Sequence, residues 1–229
     1  MWEISMFSVV FVEPENPGNV GAVARSMKNF AFRELILVNP KCDPLSKEAK
    51  ALAMHAKDIL ESARIRKDLS FLSEFDLVIG STGILADKYS TERSTVSPKQ
   101  LKSILKNSKG KKAILIGRES TGLSNDELSL CDIVVHIPTS RGYPVMNASH
   151  ALTVILYEIS DLEEGEEKLA SPEMKQRLCK EFSELVDKLD FMKPEQVKAM
   201  FKRVIGRSAI RIKEASALIG FMVKVKDRL

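Results

Sequence analysis

Three polar, glycine-containing segments of this 229-residue chain have residue types that could do chemistry. The first is Pro17-Gly18-Asn19, which follows an apolar run and leads to Arg25 in a helical pattern. Helix N-termini attract anions, because the backbone N–H groups there are unpaired. Asn19 and Arg25 lie within two turns of the helix start, so both could face one pocket. The segment lacks the spacings of dinucleotide and Walker loops, and a structural turn with a solvated arginine is an equally good reading.

The second and third segments also combine glycine with polar residues. In residues 117–123, two glycines bracket a charged pair, which would let a ligand approach the backbone closely. Glu119 could accept hydrogen bonds from hydroxyls or an amine, although an exposed turn would use the same residues. Residues 142–150 enter a long helix through Asn147, a good N-cap residue. No cysteine or histidine spacing matches a zinc site, so we expect no metal.

Short apolar runs alternating with helical patterns must hold these segments in place. Five buried strands are predicted at residues 7–12, 35–38, 76–79, 113–116 and 133–137, with helices at 19–30, 46–60, 98–106 and 147–159. This alternation favours an α/β fold with a parallel sheet covered on both faces. In such sheets ligands bind beyond the carboxyl ends of the strands, and the polar segments all fall there.

Composition excludes several classes of protein. With 44% hydrophobic and 29% charged residues, the chain is too apolar to be a disordered tail. No run approaches the roughly 18 apolar residues of a membrane helix, and no signal peptide pattern is present. Three scattered cysteines argue against a disulfide framework and for a reducing compartment. We therefore expect a cytoplasmic protein with no membrane partner, and its net charge of +4 is compatible with nucleic acid.

The pattern changes after Ser160, where an acidic linker begins. Residues 1–160 are predicted to form one domain, and residues 161–229 a small all-helical C-terminal extension. The net charge is −5 over residues 161–197 and +7 over residues 198–229. The basic half contains Arg203, Arg207 and Arg211, whose spacing of four predicts one side of a single helix. An RNA-binding arm is one interpretation of this pattern, and a solvated helix face is the other.

Together, the three segments resemble the motifs of the SpoU/TrmH class of RNA ribose 2′-O-methyltransferases in the SPOUT superfamily, most closely its TrmJ-type tRNA (cytidine-2′-O)-methyltransferases. Motif 1 is matched by residues 13–30, motif 2 by residues 117–123 and motif 3 by residues 147–158, within a resemblance that covers about residues 6–160. Motif 3 departs at its start, because Val145-Met146 stands where the family commonly has Ser-Leu.

The resemblance implies a SPOUT-type parallel sheet with a C-terminal trefoil knot, and a homodimer that holds S-adenosyl-L-methionine at its interface. The implied activity is transfer of a methyl group to a ribose 2′-hydroxyl of tRNA, in a cytidine of the anticodon loop. Two alternatives stay open: an enzyme acting on ribosomal RNA ribose, and a non-catalytic RNA-binding protein of the same fold.

The resemblance also implies roles for individual residues. The catalytic residues are Arg25, Asn19 and Glu119. The cofactor-binding residues are Ser81, Thr82, Gly83, Gly117, Ile137, Val145, Met146 and Asn147. The candidate RNA-binding residues are Lys28, Arg118 and Arg141, together with Arg203, Arg207 and Arg211, which are predicted from the charge pattern of the extension and not from the resemblance. Because a guanidinium is a poor base, Arg25 is expected to polarise and place the hydroxyl together with the target phosphate.

Overall fold

The computed structural model describes residues 6–84, 95–140, 142–189 and 191–228, so Arg141 lies outside the described residues. Its strands are β1 (Phe7–Val12), β2 (Glu34–Val38), β3 (Arg64–Arg66), β4 (Leu77–Thr82), β5 (Thr95–Val96), β6 (Ser108–Lys109), β7 (Lys112–Ile116), β8 (Ile133–His136) and β9 (Glu167–Lys168). Its helices are α1 (Pro17–Asn29), α2 (Lys47–Ala53), α3 (Lys57–Glu61), α4 (Pro98–Leu105), α5 (Asn125–Ser129), α6 (Ala148–Ile159), α7 (Pro172–Lys188), α8 (Pro194–Arg207) and α9 (Ile212–Lys226).

Seven strands form one sheet in the order β3-β2-β1-β7-β4-β8-β5, and every pairing in it is parallel. Alternate residues of β1 point to opposite faces, so that Val9 and Phe11 join one apolar cluster while Val10 and Val12 join another. Helices α1, α4 and α6 contribute to the larger cluster, and α5 contributes to the smaller one. The predicted parallel sheet with both faces covered is therefore confirmed.

The five predicted strands are confirmed: β1 has the predicted bounds, and the ends of the other four differ by at most three residues. The single helix predicted over residues 46–60 was wrong. Helix α2 ends at Ala53, Met54 takes a left-handed backbone conformation (φ 52°), and a 3₁₀ turn leads into α3. A residue with positive φ cannot continue a right-handed helix, which explains the interruption.

The C-terminal helices α7, α8 and α9 enclose their own apolar cluster, which includes Leu178, Ile205 and Ile219. Two corrections apply to this part of the chain. The segment after Ser160 is not wholly helical, since β9 pairs with β6. The three arginines do not share one helix either, because α8 ends at Arg207 and the chain turns at Ala209 (φ 47°), which places Arg211 at the N-cap of α9.

Polar contacts join α7 to the sheet. Lys175 Nζ donates to Asp132 Oδ1 (2.7 Å) and to the carbonyl oxygen of Asp76 (3.0 Å), so the start of α7 is bonded to the loops that enter β4 and β8. Arg211 donates to Glu167 (3.2 Å) and to the carbonyl of Lys106 (3.3 Å).

Among the helices that the structure describes, none has the length and apolar character needed to cross a membrane.

One lysine at the start of β7 is completely buried. Lys112 Nζ donates to the carbonyls of Gly110 (3.0 Å) and Ser108 (3.3 Å) and lies 5.3 Å from the centre of the Phe7 ring. Burial disfavours the charged ammonium and lowers the pKa of Lys112 from 10.5 to about 8.

Stability should therefore rise with pH through the titration of this group. Between pH 8 and 10.5 the unfolded chain binds the Lys112 proton and the native chain does not, so the free energy of unfolding increases with pH in this window. Lys112→Met removes the buried charge. Its stability advantage over the parent should be up to about 3 kcal/mol near pH 7 and should shrink toward pH 10.5. Denaturant unfolding at several pH values measures this difference.

The matched control is Lys109→Met, because Lys109 is an exposed lysine of the same segment. Its stability should follow the parent at every pH. Parallel pH profiles for Lys112→Met and the parent would contradict the assignment of a native-state pKa near 8.

Candidate active site

The candidate site forms at the carboxyl edge of the sheet. Strands β1, β7, β4 and β8 are successive neighbours and run parallel, so the segments that follow them meet at one edge. Residues 13–19 follow β1, residues 117–123 follow β7, Gly83 follows β4 and residues 137–147 follow β8. Segments more than 100 residues apart in sequence thus become neighbours.

The Glu119 carboxylate binds the turn that precedes α1. Its Oε2 accepts from the backbone N–H of Glu15 (2.9 Å), and its Oε1 accepts from the backbone N–H of Asn16 (3.2 Å) and from Asn19 Nδ2 (3.0 Å). Asn16 is the N-cap of α1, and its side chain accepts from the N–H of Asn19 (3.2 Å). The motif 2 glutamate therefore fixes the shape of the motif 1 turn.

The same contacts continue into the third segment. Asn19 Oδ1 accepts from Asn147 Nδ2 (3.0 Å), and Asn147 Oδ1 accepts from the N–H (2.8 Å) and Oγ (2.7 Å) of Ser149. A carboxylate only accepts, so the Asn19 amide nitrogen must face Glu119 and its oxygen must face Asn147. Asn147 thus receives a hydrogen bond from a serine hydroxyl, that of Ser149. Position 145, where the resemblance led us to expect a serine, is a valine.

Arg118 holds the second segment together. Its Nε donates to Glu13 Oε2 (2.6 Å), and its terminal nitrogens donate to Glu127 Oε2 (3.0 Å) and Oε1 (2.9 Å). The hydrogen bond from Arg118 is the main cause that lowers the pKa of Glu13. The guanidinium is thus occupied by two carboxylates of its own chain, and an RNA contact by Arg118 stays a prediction.

Gly117 is required by the loop itself. A Cβ at this position would lie 2.1 Å from the carbonyl carbon of Gly122 and 2.2 Å from the backbone nitrogen of Leu123. Gly122 donates its N–H to the Arg118 carbonyl (2.9 Å) and has a φ of 69°, which closes the loop tightly. Any side chain at Gly117 would therefore open the loop and not merely occupy the space of a ligand.

A cavity of about 510 Å³ lies between these loops. Seven of the eight predicted cofactor-binding residues line it: Ser81, Thr82, Gly83, Gly117, Ile137, Val145 and Met146. The eighth, Asn147, is the N-cap of α6 and binds Asn19 instead. The charged side chains among its described lining residues are Arg118 and Glu119, and both are already hydrogen-bonded within the chain.

Two basic residues of α1 have different surroundings. Arg25 is exposed on α1, and no hydrogen bond or ion pair within the described part of the chain holds its guanidinium. It does not line the 510 Å³ cavity. Lys28 donates to Asp58 (2.7 Å) and to the carbonyl of His55 (2.6 Å), so this predicted RNA contact is partnered inside the chain.

Sequence reasoning missed several residues of the cavity. Ile116 and Thr139 line it but lie in or beside the ends of predicted strands and were not among the predicted site residues. Glu127 was also missed as the partner of Arg118, although the Ser124…Glu127 spacing is a capping-box signal. Among the described residues, no group of three His, Cys, Asp or Glu side chains is placed to hold a metal ion.

Known proteins resemble this chain in both sequence and structure. The sequence model of the SpoU rRNA Methylase family matches residues 6–157. The chain is 39% identical to the tRNA (cytidine-2′-O-)-methyltransferase TrmJ of Methanocaldococcus jannaschii, over 94% of this chain and 98% of that protein. It is 31% identical to the TrmJ of Sulfolobus acidocaldarius, over 96% and 94% of the two chains.

Among solved structures, TrmJ from Z. mobilis superposes with a TM-score of 0.69, at 21% identity over 96% of this chain and 98% of that one. That likeness concerns the fold, whereas the family match includes all three loops of the site. The chain therefore belongs to the SpoU rRNA Methylase family.

Proposed function

We propose that this chain transfers a methyl group from S-adenosyl-L-methionine to a ribose 2′-hydroxyl of tRNA, in a cytidine of the anticodon loop. The observation that carries the proposal is the hydrogen-bonded chain Glu119–Asn19–Asn147, which joins all three motifs at the edge of one cavity. Relatives that match nearly the whole chain are named tRNA (cytidine-2′-O-)-methyltransferases. The proposed place of action is the cytoplasm.

The cavity suits S-adenosyl-L-methionine in size and chemistry. Its volume of about 510 Å³ lies within the usual range for small-molecule sites. Ile137 and Met146 offer apolar contact for an aromatic base, while Ser81, Thr82 and the loop backbone offer polar groups for a sugar. When bound, the cofactor supplies an electrophilic methyl group on a positively charged sulfur.

Arg25 is the proposed catalytic residue because it is the basic group of motif 1 left available for substrate. Its guanidinium stays charged at every physiological pH, so it does not act as a base. In the proposed mechanism it binds the target phosphate and polarises the neighbouring 2′-hydroxyl, which holds that oxygen in line for methyl transfer while the hydroxyl proton passes to solvent water. Asn19 and Glu119 act by fixing the helix start from which Arg25 projects.

The proposed topology includes a trefoil knot in the last part of the sheet. Strand β8 pairs with β4 on the side away from β7, and the following helix α6 returns to pack against α1 and α4. The last helix of the sheet domain thus packs against helices that come earlier in the chain, which supports the proposed knot.

The proposed assembly is a homodimer that covers the site. Tyr143 and Val145, in the loop before α6, are 82% and 54% exposed, and Tyr157 of α6 is 68% exposed. The Tyr157 ring packs edge-on against Phe30, at 6.1 Å between ring centres, and Val145 lines the cavity. Large exposed apolar side chains are typical of a surface that another chain covers.

The direct test is to map 2′-O-methyl ribose in total tRNA and in ribosomal RNA, with and without the protein and its cofactor. We expect new methylation at one tRNA position, a cytidine in the anticodon loop. Methylation of ribosomal RNA alone would replace this proposal with the ribosomal alternative. Cofactor binding without methylation of either RNA would favour a non-catalytic RNA-binding protein.

Glu119→Gln tests the link between motifs. A glutamine has one accepting atom where Glu119 uses two, so its amide nitrogen would face an N–H of Glu15 or of Asn16. Leaving such groups unsatisfied costs about 1–3 kcal/mol. We expect kcat for tRNA methylation to fall at least about tenfold, with the free energy of unfolding measured alongside to identify misfolded protein.

Glu15→Gln is the matched control for that variant. Glu15 lies in the same turn and is exposed, and its Oε1 accepts one hydrogen bond from Ser120 Oγ (2.9 Å), which a glutamine oxygen can keep. It should retain near-parent activity. Equal rates for Glu119→Gln and Glu15→Gln would show that the carboxylate does not organise the site.

Arg25→Ala tests the catalytic role. Because Arg25 does not line the cavity, calorimetric affinity for S-adenosyl-L-methionine should stay nearly unchanged. Methylation of tRNA should fall by several orders of magnitude, measured in single-turnover reactions. The control Arg33→Ala removes the same charge just beyond α1. If Arg25→Ala keeps more than about a tenth of the rate, a barrier change of only about 1.4 kcal/mol, Arg25 is not central to the mechanism.

A further inference from the structure

A second, larger cavity of about 1000 Å³ lies between the sheet domain and the C-terminal helices. One wall comes from residues 69–75 and α5, and the other from α7 and α8. This groove is defined here as the basic groove. Asn125, at the start of α5, lines both this groove and the 510 Å³ cavity of the candidate active site. The two cavities are therefore adjacent and share a border at α5.

One face of α8 points into the basic groove. Besides the buried Ile205, its lining residues are Ala199, Lys202, Arg203, Gly206 and Arg207, which recur at spacings of three and four along one side of the helix. Gly206 lets α8 come close to the sheet, since a Cβ there would lie 3.1 Å from the carbonyl oxygen of Asp132. The three cations of this face thus line the groove, where Lys202 and Arg207 are exposed and Arg203 is half-buried.

The groove has a large excess of positive charge. Its charged lining residues in the described chain are four cations, Lys175, Lys202, Arg203 and Arg207, and one carboxylate, Asp132. Lys175 already neutralises that carboxylate at 2.7 Å. Within the described residues, no carboxylate pairs with Lys202 or Arg203. A concave surface with unneutralised cations attracts a polyanion, and its concave shape concentrates the field.

We propose that the basic groove binds the sugar–phosphate backbone of the RNA substrate, next to the segment whose ribose enters the active-site cavity. The inference rests on the proposed function, because it takes RNA to be the substrate. It assigns phosphate contacts to Lys202, Arg203 and Arg207. Arg211 is not among them, since its guanidinium binds Glu167 and the carbonyls of Ala209 and Lys106 outside the groove.

The test is the triple variant Lys202→Ala, Arg203→Ala, Arg207→Ala in the full-length protein. Binding of a labelled tRNA is measured by fluorescence anisotropy at several salt concentrations, so the readout does not depend on methyl transfer. Each lost phosphate contact removes about 0.7–0.9 from the slope of log affinity against log salt. We expect the slope to fall by about 2 and tRNA affinity near physiological salt to fall at least about tenfold, with cofactor affinity unchanged.

The matched control is Lys213→Ala, Lys224→Ala, Arg228→Ala, which removes the same charge from exposed positions on and after α9 that lie outside the groove. It should keep most of the affinity and change the slope by less than one contact. Equal losses in the two triples would overturn the groove, because they would show that total charge alone matters.

A charge-keeping triple, Lys202→Arg, Arg203→Lys, Arg207→Lys, separates phosphate binding from packing. It should keep the parent's salt slope. If this charge-keeping triple folds but loses affinity as the alanine triple does, the proposal is overturned.

Failure of the proposed function gives a different result. If the parent protein methylates no RNA but the alanine triple still loses tRNA binding, the groove proposal stands and the proposed activity is wrong. If the parent is active and the alanine triple binds tRNA normally, the groove proposal is wrong and the proposed activity stands.

Discussion

The site depends on one carboxylate that can only accept hydrogen bonds. Glu119 takes three N–H groups from the turn before α1, and this choice fixes which way the Asn19 amide points. The orientation of Asn19 then fixes that of Asn147, which caps α6. Flipping either amide would bring two donors or two acceptors together, so only one orientation of Asn19 and Asn147 satisfies all these hydrogen bonds.

This polar chain is possible because the sheet is wholly parallel. Parallel strands place all their carboxyl ends on one edge, and the order β1-β7-β4-β8 makes the four functional loops immediate neighbours. Arg118 adds rigidity by pairing with Glu13 after β1 and with Glu127 in α5. Much of the charge at this edge is therefore used to shape the loops, whereas Arg25 on α1 stays exposed.

Polar contacts and close packing also fix the C-terminal helices, which lie on the other side of α5. Lys175 bonds α7 to the loops that enter β4 and β8, and Gly206 allows α8 to pack closely on Asp132. Lys202, Arg203 and Arg207 of α8 consequently line the basic groove, which borders the candidate active-site cavity at α5. The fold therefore determines where these basic residues lie, and the charge count alone does not.

The sequence by itself determined the strands, most helices, the three motifs and the family resemblance, because buried strands, caps and glycine turns are local patterns. The family resemblance also predicted eight cofactor-binding residues, of which seven line the cavity. Only the tertiary structure decided how charges pair. Arg118, Lys28 and Arg211 looked available for RNA, but each is bound to acceptors of its own chain, and many of these are distant in sequence. Charge pairing depends on which segments the fold brings together, and local patterns in a single sequence do not show which segments these are.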